Sequence, residues 1–135
     1  MAEDRASARR IVENAMDAWM AGDDKAFWRL IADDVQYRVI GTTPVSGHYD
    51  GRREFFERAL FPMSALLAKG ARPVEYDIVA EGPRVVLMWT GVGTMKNGAP
   101  YNNSYCWVLT VDHGKIAVIK AYLDTELVSA LFAQG

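Results

Sequence analysis

Three glycine-bearing turns govern the second half of this chain. Glu81-Gly82-Pro83, Lys96-Asn97-Gly98 and Asp112-His113-Gly114 separate four strand-like stretches, Val74 to Ala80, Val85 to Met95, Tyr101 to Val111 and Lys115 to Leu123. Asn-Gly is the strongest short hairpin signal, because the tight turns that match strand twist need positive φ at their centre. Strands joined this closely run antiparallel and lie side by side. Any fold for the chain must therefore accommodate a meander of four strands.

Upstream, the apolar residues recur at helical spacing. From about Asp4 to Met20 the pattern is Ala8, Ile11, Val12, Ala15, Met16 and Trp19, a helix by its period. Gly22 suits a helix C-terminus, and Asp23 or Asp24 can cap a short second helix holding Phe27, Trp28, Leu30 and Ile31. From Val35 the period drops to two, with Val35, Tyr37 and Val39 on one face, which predicts a strand. Gly41 to Pro44 and Ser46-Gly47 are turn chemistry. Asp50 or Gly51 opens a third helix with Phe55, Phe56, Ala59, Leu60 and Met63, ending before Gly70, and a last helix starts near Asp124. Without repeat or linker, residues 1–135 read as one domain. The element order predicts an α+β fold: a curved antiparallel sheet with the N-terminal helices packed on its concave face, forming a cone with an internal pocket. Gly91 and Gly93, both in one strand, permit the sharp bend.

Composition narrows the function classes. Half of the 135 residues are hydrophobic, which excludes a disordered chain. Lys+Arg is 15 against 17 Asp+Glu, a net charge of -2, so no basic excess exists for nucleic acid. No apolar run approaches the roughly 20 residues that span a bilayer. Met1 to Arg10 lacks the apolar core of a secretory signal. With the single Cys106 excluding an intrachain disulfide, the expectation is a cytoplasmic protein.

Several motifs resemble the nuclear transport factor 2-like superfamily: Met20-Ala21-Gly22-Asp23, Ala32-Asp33-Asp34-Val35 and the stretch from Pro44 to Gly51. Tyr101-Asn102-Asn103-Ser104-Tyr105, Asp112-His113-Gly114-Lys115-Ile116 and Tyr122-Leu123-Asp124-Thr125 look most like its SnoaL-like branch, and the likeness covers nearly the whole chain. The resemblance implies a cone-shaped fold with a cavity and a homodimer paired through the convex sheet face. It does not imply one activity, since such folds host isomerases, hydrolases, cyclases, dehydratases and binders. Ketosteroid isomerase uses an Asp base with a Tyr and a protonated Asp as donors. Carried over on the shared anchors, the Tyr falls on Ala15, the base on Val39 and the protonated Asp near Trp107. The Asp-Arg-Asp set of limonene epoxide hydrolase falls near Trp89, Gly91 and Ala121. Neither set is present in this sequence.

What remains for chemistry is aromatic and amide. Alternation groups Tyr101, Asn103, Tyr105, Trp107 and Leu109 on one face, expected to be concave beside Val35, Tyr37 and Val39. Tyr37, Asn103 and Tyr105 are candidate polarising residues for a carbonyl or hydroxyl, and Asp124 is a candidate acid or base. Asp124 has a competing reading, because Asp before Thr-Glu-Leu-Val is a helix cap. Val39, Trp89, Tyr105, Trp107, Phe55, Trp28 and His48 are the expected ligand contacts, with His48 either a rim base or a surface residue. His113 belongs in an exposed turn, and Cys106 reads as a buried small hydrophobe. No His/Asp/Glu spacing resembles a metal site, and no phosphate-binding glycine loop occurs, so neither metal nor cofactor is expected. Apolar Val86, Met88, Val92, Cys106 and Val108 on the opposite face agree with a sheet that has a partner there. The sequence thus predicts a pocket for a small hydrophobic organic molecule, serving an isomerase, cyclase or hydrolase lacking the usual acid/base set. The alternatives are a non-catalytic binding module and a dimerisation module with a collapsed cavity.

Overall fold

The computed structural model describes the backbone of residues 2–134 and the side chains of residues 8–134. Met1 and the first residues of the expected N-terminal reading therefore lie outside the described side chains. Helix α1 (Ala2–Met20) ends at Gly22, whose φ of 117° only glycine adopts readily. A single 3₁₀ turn (Trp28–Leu30) takes the place of the expected second helix and leads into β1 (Ile31–Val39). A loop brings the chain back as β2 (Gly47–Asp50). Three consecutive helical segments follow: α2 (Arg52–Phe55), a π turn (Phe56–Leu60) and α3 (Phe61–Ser64). The meander is β3 (Leu67–Glu81), β4 (Arg84–Met95), β5 (Ser104–Asp112) and β6 (Lys115–Leu123), closed by α4 (Thr125–Ala133).

The six strands form one curved, unclosed sheet in the order β2-β1-β6-β5-β4-β3. The four-strand meander has the expected antiparallel pairings, with Tyr76 beside Trp89, Trp89 beside Tyr105, and Trp107 beside Ala121. The sheet is nonetheless mixed, because β1 runs parallel to β6, with Tyr37 beside Ile119 and Val39 beside Ala121. Two apolar strand faces meet there and zip the front of the chain to its back.

Boundaries depart from expectation where turn residues sit at the sheet rim. The stretch read as a turn around Gly47 is edge strand β2, paired with β1. Strand β3 starts seven residues earlier than Val74 and passes through Gly70 and Pro73, at the cost of irregular register between Leu67 and Glu75. It is an outer strand, where proline and bulges are tolerated. Tyr101 to Asn103 precede β5 rather than belonging to it. They are pinned to β4 by Tyr101 N–H to Gly93 O (2.9 Å) and Gly91 N–H to Asn103 O (3.0 Å).

Helix α1 covers β3 and β4, α2 covers β1 and β2, and α3 leans on β3. Alternation is obeyed along β4 and β5 and in the second half of β6: Val85, Leu87, Trp89, Trp107, Leu109, Ile119 and Ala121 are buried beneath the helices with Val12, Met16 and Trp19. Leu131 of α4 packs on Met95 and Tyr101 in a second, smaller cluster. Gly91 and Gly93 serve close approach as well as bending. A Cβ on Gly91 would sit 2.6 Å from the Trp89 ring, and one on Gly93 would sit 3.0 Å from the Lys69 carbonyl.

Candidate functional site

Between the helices and the concave face lies a cavity of about 200 Å³. Its walls are built by alternation: Tyr37 and Val39 from β1, Trp89 from β4, Tyr105 and Trp107 from β5, Ala121 and Leu123 from β6. Trp19, Trp28, Phe55, Leu60 and Met63 roof it, and Asp24, Ser64, Gly70 and Ala71 are among the residues that border it elsewhere. The π turn bears on this roof, since Ala59 and Leu60 both come from it.

The rings are interlocked. Tyr37 stacks on Phe55 with centroids 3.6 Å apart, and Trp89 stacks on Tyr105 at 3.9 Å. Trp107 meets Trp89 edge-on at 5.1 Å and Phe27 at 4.9 Å, and Trp19 tilts against Trp89 at 5.0 Å. Offset and edge-on pairs of this kind add to simple burial. The Nε1 of Trp89 is the one buried side-chain polar atom left without a hydrogen-bond partner among the described residues. It is packed among Trp19, Tyr105 and Trp107, where rings leave little room for an acceptor.

Asn103 has a different place from the one its residue type suggested. It is 1% exposed and does not line the cavity. Its Oδ1 accepts from the backbone N–H of Ser104 (2.7 Å) and Asp124 (3.0 Å), and its Nδ2 donates to the Asp124 carbonyl (3.3 Å) and the Tyr101 hydroxyl (3.4 Å). All four of its hydrogen-bonding positions are used. Two backbone donors on one side fix which end is the oxygen. Asn103 therefore ties the start of β5 to the end of β6 and holds Tyr101 in place.

The carboxylate of Asp124 caps α4, accepting from Glu126 N–H (3.1 Å) and Leu127 N–H (3.4 Å), and it is not part of the cavity lining. Of its two readings, the cap is the one the geometry carries. His48 points to the exposed face of β2, in register with Arg38, and the cavity does not reach it. Neither residue borders the cavity. Cys106 is half-buried on the convex side rather than buried. His113 is exposed in its turn beside Asp112.

Tyr37, Val39, Trp28, Phe55, Trp89, Tyr105 and Trp107 are brought together as a set. Sequence reasoning passed over Tyr101, although the alternation that picked out Tyr105 and Trp107 contained it. Three phenols thus stand in the lining. Burial pushes the Tyr37 and Tyr105 hydroxyls well above the ordinary tyrosine range. Burial also raises Tyr101, against hydrogen bonding from Asn103 and from the neighbouring Tyr105 hydroxyl. All three remain protonated donors near neutral pH. Asp24, exposed, is the one charged residue in the lining, and no group of metal-ligating side chains occurs among the described residues. No described helix is long and apolar enough to cross a membrane.

The comparison that decides kinship is with protein families: a family model described as a SnoaL-like domain matches residues 12–119. The chain belongs to the SnoaL-like domain family. Among curated proteins, no sequence relative matches this SnoaL-like domain. Solved structures do. A nuclear transport factor 2-like protein from Burkholderia thailandensis is 22% identical, with 94% of this chain and 98% of that chain covered and a TM-score of 0.74. TerC, co-crystallized with polyporic acid, is 18% identical with 95% and 99% covered and a TM-score of 0.75. A Catenulispora acidiphila protein with a ketosteroid isomerase-like fold, in complex with trimethylamine, is 18% identical with 90% of both chains covered and a TM-score of 0.67. At such identities the likeness establishes the fold of this SnoaL-like domain and leaves its chemistry to its own residues.

Proposed function

We propose that this SnoaL-like domain, residues 1–135 acting as one unit, binds a small uncharged organic molecule of about one ring in the cavity beneath α1–α3. The observation that carries the reading is the partly enclosed, ring-lined space itself; of the similar structures, TerC was co-crystallized with polyporic acid and the Catenulispora acidiphila protein is in complex with trimethylamine. An apolar cavity of about 150 Å³ takes a benzene, so about 200 Å³ suits a single ring with a short substituent. An anion entering there would meet no cationic side chain among the described lining residues, and an unpaired buried charge is expensive. The cavity wall also holds no histidine, and its single carboxylate, Asp24, is exposed. General acid/base turnover of the ketosteroid isomerase kind is therefore not part of the proposal. Binding, with hydrogen-bond polarisation by the phenols, is.

The working form we propose is a cytoplasmic homodimer paired through the convex sheet. Supporting it is a continuous apolar row across three strands, Val79 beside Val86 beside Val108, with Met88 and Cys106 adjoining. Val79 is 58% exposed in the single chain, and Val118 and Tyr122 on β6 are exposed too. Such a patch marks an interaction surface.

The test of the cavity is calorimetric titration with acetophenone against an Ala121→Leu variant. Ala121 is buried and lines the space, so three added carbons occupy it. Saturable binding to the parent chain, weakened at least tenfold in the variant, is the expected outcome. Absence of binding, or equal binding by both, refutes the reading.

A further inference from the structure

The polar supply of the cavity is one-sided. Apart from Asp24 and Ser64, its polar side chains are three phenols and the indoles, and no lining residue offers an amide or histidine. A phenolic O–H donates better than its oxygen accepts. The three phenols are not equivalent. The Tyr37 ring is stacked on Phe55 with centroids 3.6 Å apart, and no hydrogen bond found among the described residues fixes the direction of its hydroxyl. The Tyr101 hydroxyl is held: Asn103 Nδ2 donates to its oxygen at 3.4 Å, and Asn103 is locked by three further bonds to the backbone of Ser104 and Asp124. The Tyr101 ring is equally fixed, 1% exposed and packed against Met95 and Leu131, while its backbone N–H is bonded to Gly93 O. With the Tyr101 oxygen accepting from Asn103 and from the neighbouring Tyr105 hydroxyl, its proton has no protein acceptor among the hydrogen bonds of the described residues. A donor positioned before the ligand arrives is the arrangement that favours a specific acceptor.

Resting on the cavity reading above, we infer that the molecule bound is a neutral single-ring carbonyl compound, and that Tyr101 donates the hydrogen bond that orients its oxygen, with Asn103 as the positioning residue. The rings of Trp89, Trp107 and Phe55 supply the apolar walls, and with no cation among the described lining residues the carboxylate analogue is disfavoured. This assigns Asn103 a role through Tyr101 and not through contact with the ligand.

The test uses two isosteric probes, acetophenone and α-methylstyrene, which differ by C=O against C=CH₂, titrated into the full chain and its Tyr101→Phe variant. Loss of one hydrogen bond to the ligand predicts about a tenfold loss of ketone affinity in the variant, with the alkene unchanged within about twofold. The carbonyl stretch of bound ¹³C-acetophenone should lie at lower frequency in the parent chain than in Tyr101→Phe. In Asn103→Ser it should broaden toward the variant position, an effect that general loosening of the fold does not produce in the alkene titration. Equal losses for both probes, or no loss for either, overturn the assignment while leaving the cavity reading intact. A change of the ketone-to-alkene ratio in Tyr37→Phe but not in Tyr101→Phe also overturns it. If neither probe binds the parent chain, the cavity reading fails and this inference fails with it.

Discussion

Replacing Gly91 with alanine tests how tightly the aromatic wall is built. Gly91 is buried in β4, two residues beyond Trp89 and on the same face. An added Cβ would stand 2.6 Å from Trp89 Cζ3 and 3.4 Å from the Arg72 carbonyl oxygen. Ordinary contact begins near 3.4 Å, so the indole must retreat by roughly 0.8 Å while the backbone on the other side cannot yield. Retreat is obstructed by Tyr105, stacked at 3.9 Å, and by Trp19 and Trp107 at 5.0 and 5.1 Å. The open direction is the cavity. Overpacking of this kind costs about 1–3 kcal/mol, and a chain of 135 residues loses roughly 3–4 °C of Tm per kcal/mol. Thermal unfolding followed by near-ultraviolet circular dichroism should therefore show Tm lower by about 3–12 °C. The aromatic bands of the folded variant should change as the Trp89–Tyr105 stack is disturbed, and acetophenone should bind more weakly. An unchanged Tm with an unchanged aromatic spectrum would refute the close packing on which the argument rests.

Three further outcomes follow from the same structure. Asp124→Ala removes the α4 cap and should cost about 1 kcal/mol in chemical denaturation; Asp124→Asn, which can still accept, should restore most of it. A change in ligand affinity at unchanged stability would instead point to the carboxylate reaching the cavity. Val108→Lys places a charge in the apolar convex row and should convert a dimer into a monomer in sedimentation velocity, with the circular dichroism spectrum retained; a parent chain that sediments as a monomer refutes the dimer. The pH response lies on the alkaline side. Tyr37 and Tyr105 have hydroxyls raised by burial, and Tyr76 is pushed up to about 12 by burial and its bond to Asp17. A raised tyrosine favours the native state fully below the unfolded value near 10, and that contribution is lost as pH climbs toward the folded values. Urea midpoints should be insensitive to these groups up to about pH 10 and fall above it. A midpoint still level at pH 12 would refute the burial of the phenols.

The parts of the fold legible in the sequence are those fixed locally. Gly82, Asn97-Gly98 and His113-Gly114 each dictate a turn, and the meander follows from them. Within each strand a period of two sorted Tyr37, Trp89, Tyr105 and Trp107 onto the face that lines the cavity. The parallel seam between β1 and β6 was invisible, because no turn or spacing records a pairing of residues so distant in sequence. Strand β2 and the start of β3 were hidden for the opposite reason. Gly47, Gly70 and Pro73 carry strong local signals for turns, and only the tolerance of an outer strand overrides them. Asn103 misled by type: a polar residue among rings suggested ligand contact, whereas its four bonds are spent on Ser104, Asp124 and Tyr101. Whether an amide faces a ligand or a backbone depends on what the neighbouring loop presents, which its own spacing does not encode.

The seam between β1 and β6 also constrains how the molecule can be made. Ile31 sits beside Ile116 and Val39 beside Ala121, so as the chain leaves the ribosome β1 has only the four-residue β2 to pair with until nearly all the rest has been synthesised. Helices α1 to α3 can form early, yet the wall they roof does not exist until β6 inserts between β1 and β5. Contacts this distant in sequence slow folding and leave apolar strands exposed meanwhile. A nascent chain halted in the turn at residue 114 would carry nearly every ring of the aromatic wall and still have no cavity. The last strand is the step that turns a set of aromatic side chains into the walls of one cavity.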